Sequence, residues 1–186
     1  MASNAKKYIL TAVTLGLIAA SGALLIAGAN MITRDRIAEN EQKSITNGIA
    51  TIFGDGVSKE ECELPTLPDG KEYTYITTCY EVKDADNFIT GYAFRTDGSN
   101  NYGKISLIIG FNTGVAYKGL SVIANEQSFA STLKKGYLDK IKDGSKTIHD
   151  SEVPVSCGAT YGAKLVRAMV QEAEDTAEIL VGVKNG

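Results

Sequence analysis

Between Tyr8 and Ala29 the chain runs YILTAVTLGLIAASGALLIAGA, 22 residues without a charged side chain. A backbone can cross hydrocarbon only if its N–H and C=O groups bond within the segment, and a helix of ~20 apolar residues does this. The segment therefore predicts a membrane-spanning helix. Lys6 and Lys7 precede it, and the first acidic residue is Asp35. Two lysines on the short N-terminal side favour a cytoplasmic N terminus, while Arg34 and Arg36 on the far side pull the other way. The alternative is a cleaved signal peptide. Ala27-Gly28-Ala29 has the A-x-A form, but the apolar run exceeds the ~7–15 residues of a signal core. No Cys follows the span closely, which excludes a lipoprotein. The expected organisation is a cytoplasmic N terminus at residues 1–7, an inner-membrane anchor at 8–33 and an extracytoplasmic domain at 34–186.

Beyond the anchor 17 basic side chains face 22 acidic ones, a net charge of −5. That balance supplies neither a polybasic lipid patch nor the basic footprint of a nucleic-acid binder. His149 is the single histidine and Trp is absent. No Cys/His spacing suits zinc or an iron–sulfur cluster, and the carboxylates are scattered rather than paired. The sequence thus nominates no metal site and no catalytic residue.

Hydrophobic periodicity divides the rest. From Asp35 to Phe53, Ile37, Ile45, Ile49, Ile52 and Phe53 fall largely on one helical face, with Glu39, Glu41 and Lys43 opposite. This predicts a membrane-proximal helix continuing the anchor and stopped by Gly54-Asp55-Gly56. Residues 57–71 read as loop, with Pro65, Pro68 and an Asp69-Gly70 turn. Strands are expected at Glu72–Val82, Phe88–Arg95, Lys104–Phe111 and Val115–Ala124, with turns at 97–101 and 112–114. Ser128–Ile141 returns to helical character. Ala163–Leu180 is the clearest helix, with Leu165, Val166, Met169, Val170, Ala173, Ala177 and Leu180 in one stripe. The expected class is α+β, a mostly antiparallel sheet with flanking helices behind one transmembrane helix.

The cysteines are Cys62, Cys79 and Cys157. Outside the cytoplasm Cys62 and Cys79 can pair and leave Cys157 free; three reduced cysteines are the alternative.

Just before the strongest helix, small residues accumulate: Ser156-Cys157-Gly158-Ala159-Thr160-Tyr161-Gly162-Ala163. One reading is a helix start, with Thr160 as N-cap and Gly158 as turn punctuation. The other uses the same geometry. Free N–H groups and the positive dipole end at a helix N-terminus suit a phosphate, and small neighbours admit a bulky phosphorylated group. The Thr160 hydroxyl would then be an attachment point, its phosphate meeting the N–H groups near Gly162 and Ala163.

Gly158-Ala159-Thr160 resembles the core of the S/T-G-A-T motif of the FMN-binding domain. That domain is shared by the G subunit of the Rnf electron-transport complex and the C subunit of the sodium-pumping quinone reductase. Further similarity lies in Arg36–Glu41 after the anchor, in Gly91-Tyr92, Asn101-Tyr102-Gly103 and Ile108-Ile109-Gly110 in the central strands, and in Ala163–Ala173 in the closing helix. The short chain favours the Rnf-type subunit. Cys157 stands where the motif has Ser or Thr, with Ser156 one place earlier, and Gly162 stands where it has a hydroxyl. The family's H-x-E-T-P-G-L-G loop corresponds to Ala124–Ser131, in which Glu126 is retained.

The resemblance implies FMN joined through its phosphate to Thr160, with Cys157, Gly158, Ala159 and Glu126 near the cofactor. It implies attachment by a separate flavin transferase using FAD, with release of AMP. It also implies partners: membrane and peripheral Rnf-type subunits that couple electron flow from ferredoxin to NAD with sodium or proton export. The chain would be an electron relay, not a complete enzyme. Two other functions fit the same residues: a stand-alone anchored flavin carrier, and a flavin-free structural subunit.

Overall fold

The computed structural model describes residues 2–67 and 70–185. Pro68 and Asp69, and with them half of the expected Asp69-Gly70 turn, lie outside the described residues. The chain divides into two compact units, one up to Gln42 and one from Lys43 onward.

From Ala2 onward the first unit is helical, the beginning of helix α1 (Ala2–Phe53). Its apolar side chains project on all sides: Leu10, Leu17, Leu24 and Ile26 are all largely exposed. A helix apolar all round and unburied by protein suits lipid rather than water. Its hydroxyls are satisfied internally, since Thr11, Thr14 and Ser21 each donate to the carbonyl four residues back. They therefore carry no unpaired polar group into hydrocarbon. A window within Lys6–Phe53 reaches a mean hydropathy of 2.3, enough in length and composition for one membrane crossing.

The second unit is built on five antiparallel strands in the order β1 (Ser58–Cys62), β2 (Ile76–Lys83), β3 (Ile89–Asn100), β4 (Gly103–Asn112) and β5 (Tyr117–Asn125). Side chains alternate across a strand, so each face can carry its own core. On one face Phe94, Leu107, Ile109 and Phe111 pack against helix α4 (Thr160–Asn185) and the helical segment before it. That segment comprises α2 (Ala130–Leu133), a π-helical turn at Lys134–Leu138 and α3 (Asp139–Ile141). On the other face Tyr80, Val82, Ala93 and Ile108 meet the end of α1 through Ile45 and Ile49. Gly110 permits this contact. A Cβ there would lie 2.6 Å from Ile52 Cγ2 and 2.8 Å from the Phe53 ring.

The expected α4 stripe is borne out: all seven of its apolar residues are buried. Three local expectations are corrected. Ser58–Cys62 is a strand, although its Ser-Lys-Glu-Glu-Cys sequence carries no apolar alternation. It is an edge strand, held in register by Cys62 opposite Cys79 and by an ion pair from Lys83 to Glu60. Charge on such an edge also discourages pairing with other chains. The stretch 97–101 is not a turn: Asp97–Asn100 continue β3, and only Asn101 and Tyr102 lie between the paired Asn100 and Gly103. Asp97 is held there by Ser106 Oγ and Arg95 Nε. Third, α4 begins at Thr160, ahead of Ala163. The cysteine alternatives also resolve, because Cys62 and Cys79 are joined by a disulfide, their Cα atoms 5.3 Å apart, and Cys157 is free.

Glu172 ties α4 to the start of β2. Its carboxylate accepts from the backbone N–H groups of Thr74 (2.6 Å), Tyr75 (2.7 Å) and Ile76 (3.1 Å). Hydrogen bonds to a charged acceptor contribute about 1.5–3 kcal/mol. Glu172→Ala is therefore expected to lower the denaturation midpoint by that order of stability in urea titration. An unchanged midpoint would show that water replaces the carboxylate without cost.

Candidate cofactor site at the start of helix α4

Three segments distant in sequence converge on one cleft of about 220 Å³. The β3–β4 turn brings Tyr102, the β5–α2 connection brings Gln127 and Phe129, and the entry to α4 with its first turn brings Gly158–Gly162. Asn100 Nδ2 donates to the Tyr161 carbonyl at 3.3 Å, which ties the hairpin to the helix start. The Ser128 N–H donates to the Tyr102 carbonyl at 2.7 Å, which ties the connection to the same hairpin.

Gly103 makes the convergence possible. Its φ of +128° is a conformation L side chains rarely adopt, and a Cβ there would lie 2.2 Å from the Glu126 carbonyl oxygen. Gly103→Ala is expected to push the hairpin from the connection and to cost about 1–3 kcal/mol, the range for forced overpacking. Thermal melting of the extracted chain checks this, and an unaltered melt would mean that the cleft walls yield freely.

At the floor of the cleft Gln127 is buried, and its Nε2 donates to the Gly103 carbonyl. Its Oε1 is left on the Gly162 side, 3.4 Å from where a Cβ of that glycine would lie. The same Cβ would lie 2.9 Å from Leu133, so the small residue lets α4 begin against α2.

The first intrahelical bond of α4 runs from the Ala163 N–H to the Ala159 carbonyl at 3.0 Å. Ala159 thus occupies the capping position and Thr160 is the first helical residue, which corrects the expected N-cap role of Thr160. The N–H groups of Thr160, Tyr161 and Gly162 precede the first intrahelical bond, whereas that of Ala163 is already used. The donors open to an anion therefore sit slightly earlier than expected.

Of the residues nominated from sequence, Gly158, Ala159 and Thr160 line this cleft. Cys157 is half-buried and lines a neighbouring depression with Ser131, Thr132, Lys135 and Gly136. It seats the motif loop on the π-helical turn, where a Cβ on Gly136 would meet the Cys157 Cβ and carbonyl oxygen at 2.9 Å. Beneath it Tyr137 is fully buried, and burial pushes its phenol up to about 12, so it stays neutral. The Glu126 side chain is exposed and is not part of the cleft lining. Its neighbour Gln127 takes that place.

Tyr102, Gln127, Phe129 and Tyr161 were not nominated from sequence. Tyr102 lies in a stretch that resembles the family, and Gln127 and Phe129 lie in the loop where Glu126 alone is retained, but no periodicity marks a residue whose role depends on loops meeting. Among the described residues no His/Cys/Asp/Glu group could hold a metal ion.

The fold and cleft define a small α+β domain with an apolar N-terminal helix and an aromatic-lined cleft at a helix start. Residues 1–51 match the family model described as the RnfG N-terminal region, which supports an RnfG-type subunit. The match ends ahead of the sheet and of Thr160. No curated protein matches the chain.

Proposed function

We propose that this chain is the flavin-carrying subunit of an Rnf-type complex, with FMN joined through its phosphate to Thr160. The observation that carries the reading is the position of Thr160. It lines an aromatic cleft at the N-terminal end of a 26-residue helix. A phosphate there meets the positive end of the helix dipole and the backbone N–H groups of the first turn. Tyr102, Phe129 and Tyr161 give the cleft apolar walls, and Gln127 places a polar amide among them. This set suits a phosphorylated planar heterocycle. The RnfG-type N-terminal region points the same way, because that family is generally flavin-associated.

The division of labour follows. Thr160 Oγ is the attachment atom. The first turn of α4 receives the phosphate charge, and the aromatic walls limit water. When bound, flavin accepts electrons in pairs and releases them singly, which suits a relay between unlike carriers. A separate transferase installs FMN, and membrane and peripheral Rnf-type subunits supply and withdraw electrons while coupling their flow to sodium or proton export.

The N terminus is cytoplasmic in this reading, residues 8–33 are the anchor, and residues 34–186 lie outside. Lys6 and Lys7 before the span support that orientation, and so does the Cys62–Cys79 disulfide, which persists in an oxidising compartment.

Intact mass of the full-length protein, extracted from membranes of cells that make the transferase, tests the reading. The expected result is one covalent FMN per chain. An unmodified mass would favour a flavin-free structural subunit. Protease added to spheroplasts tests the orientation, and a protected domain would overturn it.

A further inference from the structure

Large rings in a domain of this size belong in the core, and Phe94, Phe111 and Tyr137 are fully buried. Several others are not, Phe88 among them, and three of these stand together. Tyr161 is 63% exposed, Phe129 54% and Tyr102 38%, and all three stand at the Thr160 cleft. The Tyr102 and Tyr161 rings stack, their centroids 5.2 Å apart and their planes at 25°. The Phe129 ring lies 6.2 Å from Tyr102 at 52°. Hydrogen bonds fix the backbones that carry them, through Asn100 to the Tyr161 carbonyl and through Ser128 to the Tyr102 carbonyl. The rings are thus held at one opening by loops anchored to each other, with π-faces left for a further planar partner.

The geometry points to an aromatic clamp: Tyr102, Phe129 and Tyr161 receive the planar ring system of the group carried on Thr160. The inference rests on the flavin reading above and adds the residues that would hold the ring. Tyr161 follows Thr160 directly in the chain, so the phosphate joined to Thr160 Oγ begins beside the clamp and the ribityl arm gives the ring the reach to lie against it.

A phenol stacked on a flavin quenches its emission. Full-length protein extracted from membranes is compared as wild type, Tyr102→Leu, Tyr161→Leu and Tyr102→Phe. Intact mass first establishes FMN loading, and emission is then read in the native state relative to the same sample denatured. The wild type is expected to be quenched when native. Tyr102→Leu and Tyr161→Leu should each raise the native-to-denatured ratio several-fold, and Tyr102→Phe, which keeps the stacking surface but loses the quenching phenol, should raise it as well. Tyr102 lies outside the modification motif, so its variant decides the outcome should Tyr161→Leu escape flavinylation. Loaded Tyr102→Leu protein with an unchanged ratio would overturn the clamp and leave the attachment standing. Wild-type protein without the added mass would remove the attachment reading and the clamp with it.

Discussion

Thr160→Ala is expected to lose covalent flavin completely while keeping its fold. The substitution removes the one oxygen at the position proposed for the phosphoester and leaves a good helix former. Ala159, not Thr160, occupies the capping position, so the usual cost of a lost cap, about 0.5–2 kcal/mol, does not apply in full. Denatured wild-type protein should fluoresce as a gel band under ultraviolet light, and the Thr160→Ala band should be dark at equal protein load. Its thermal melt should stay close to that of unmodified wild type. Thr160→Ser retains an oxygen and asks whether the transferase needs the methyl group. Cys157→Ser restores the hydroxyl usual in the motif, and flavinylation should be unchanged or raised. A fluorescent Thr160→Ala band would show that the flavin sits elsewhere.

Loss of the Cys62–Cys79 bond is expected to give the largest stability change. The two residues face each other across β1 and β2, 17 positions apart in sequence. In the chain-entropy account, closing a loop of ~15 residues contributes about 3 kcal/mol by restricting the unfolded chain. At roughly 2–4 °C per kcal/mol for a chain of this size, reduction or Cys79→Ser should lower the melting temperature by roughly 6–12 °C. β1 is short, charged and at the sheet edge, held otherwise by its pairing with β2 and the Lys83–Glu60 ion pair. A melt indifferent to reductant would show that the bond does not form or does not constrain the unfolded chain. Thiol labelling after denaturation also reports sidedness. Only Cys157 should react if the domain matures outside the cytoplasm, and all three cysteines should react if it does not.

The elements legible in the sequence were those whose signal repeats along the chain. The apolar run from Tyr8 to Ala29 needs no context to demand a helix. The stripe from Leu165 to Leu180 states both helix and buried face, and β3 and β4 carry enough apolar alternation to be seen. β1 escaped because an exposed edge strand needs no apolar side chains and takes its conformation from its partner. The end of β3 escaped because Asp97-Gly98-Ser99-Asn100 has turn composition. The pairing with β4 and the packing of Leu165 and Met169 over Gly98 override it.

The sequence by itself determined the apolar helix, the α+β class, the closing helix and the small-residue run ending in Thr160, because periodicity and composition act over neighbouring residues. Tertiary structure decided what surrounds Thr160. Tyr102, Gln127 and Phe129 reach the cleft only through the register of β3 with β4, the close approach at Gly103 and the contact between Gly162 and Leu133. The same long-range packing left Glu126 on the surface, turned Cys157 toward the π-helical turn and brought Cys62 opposite Cys79. A cleft formed where three loops meet depends on distances between segments that no local pattern encodes.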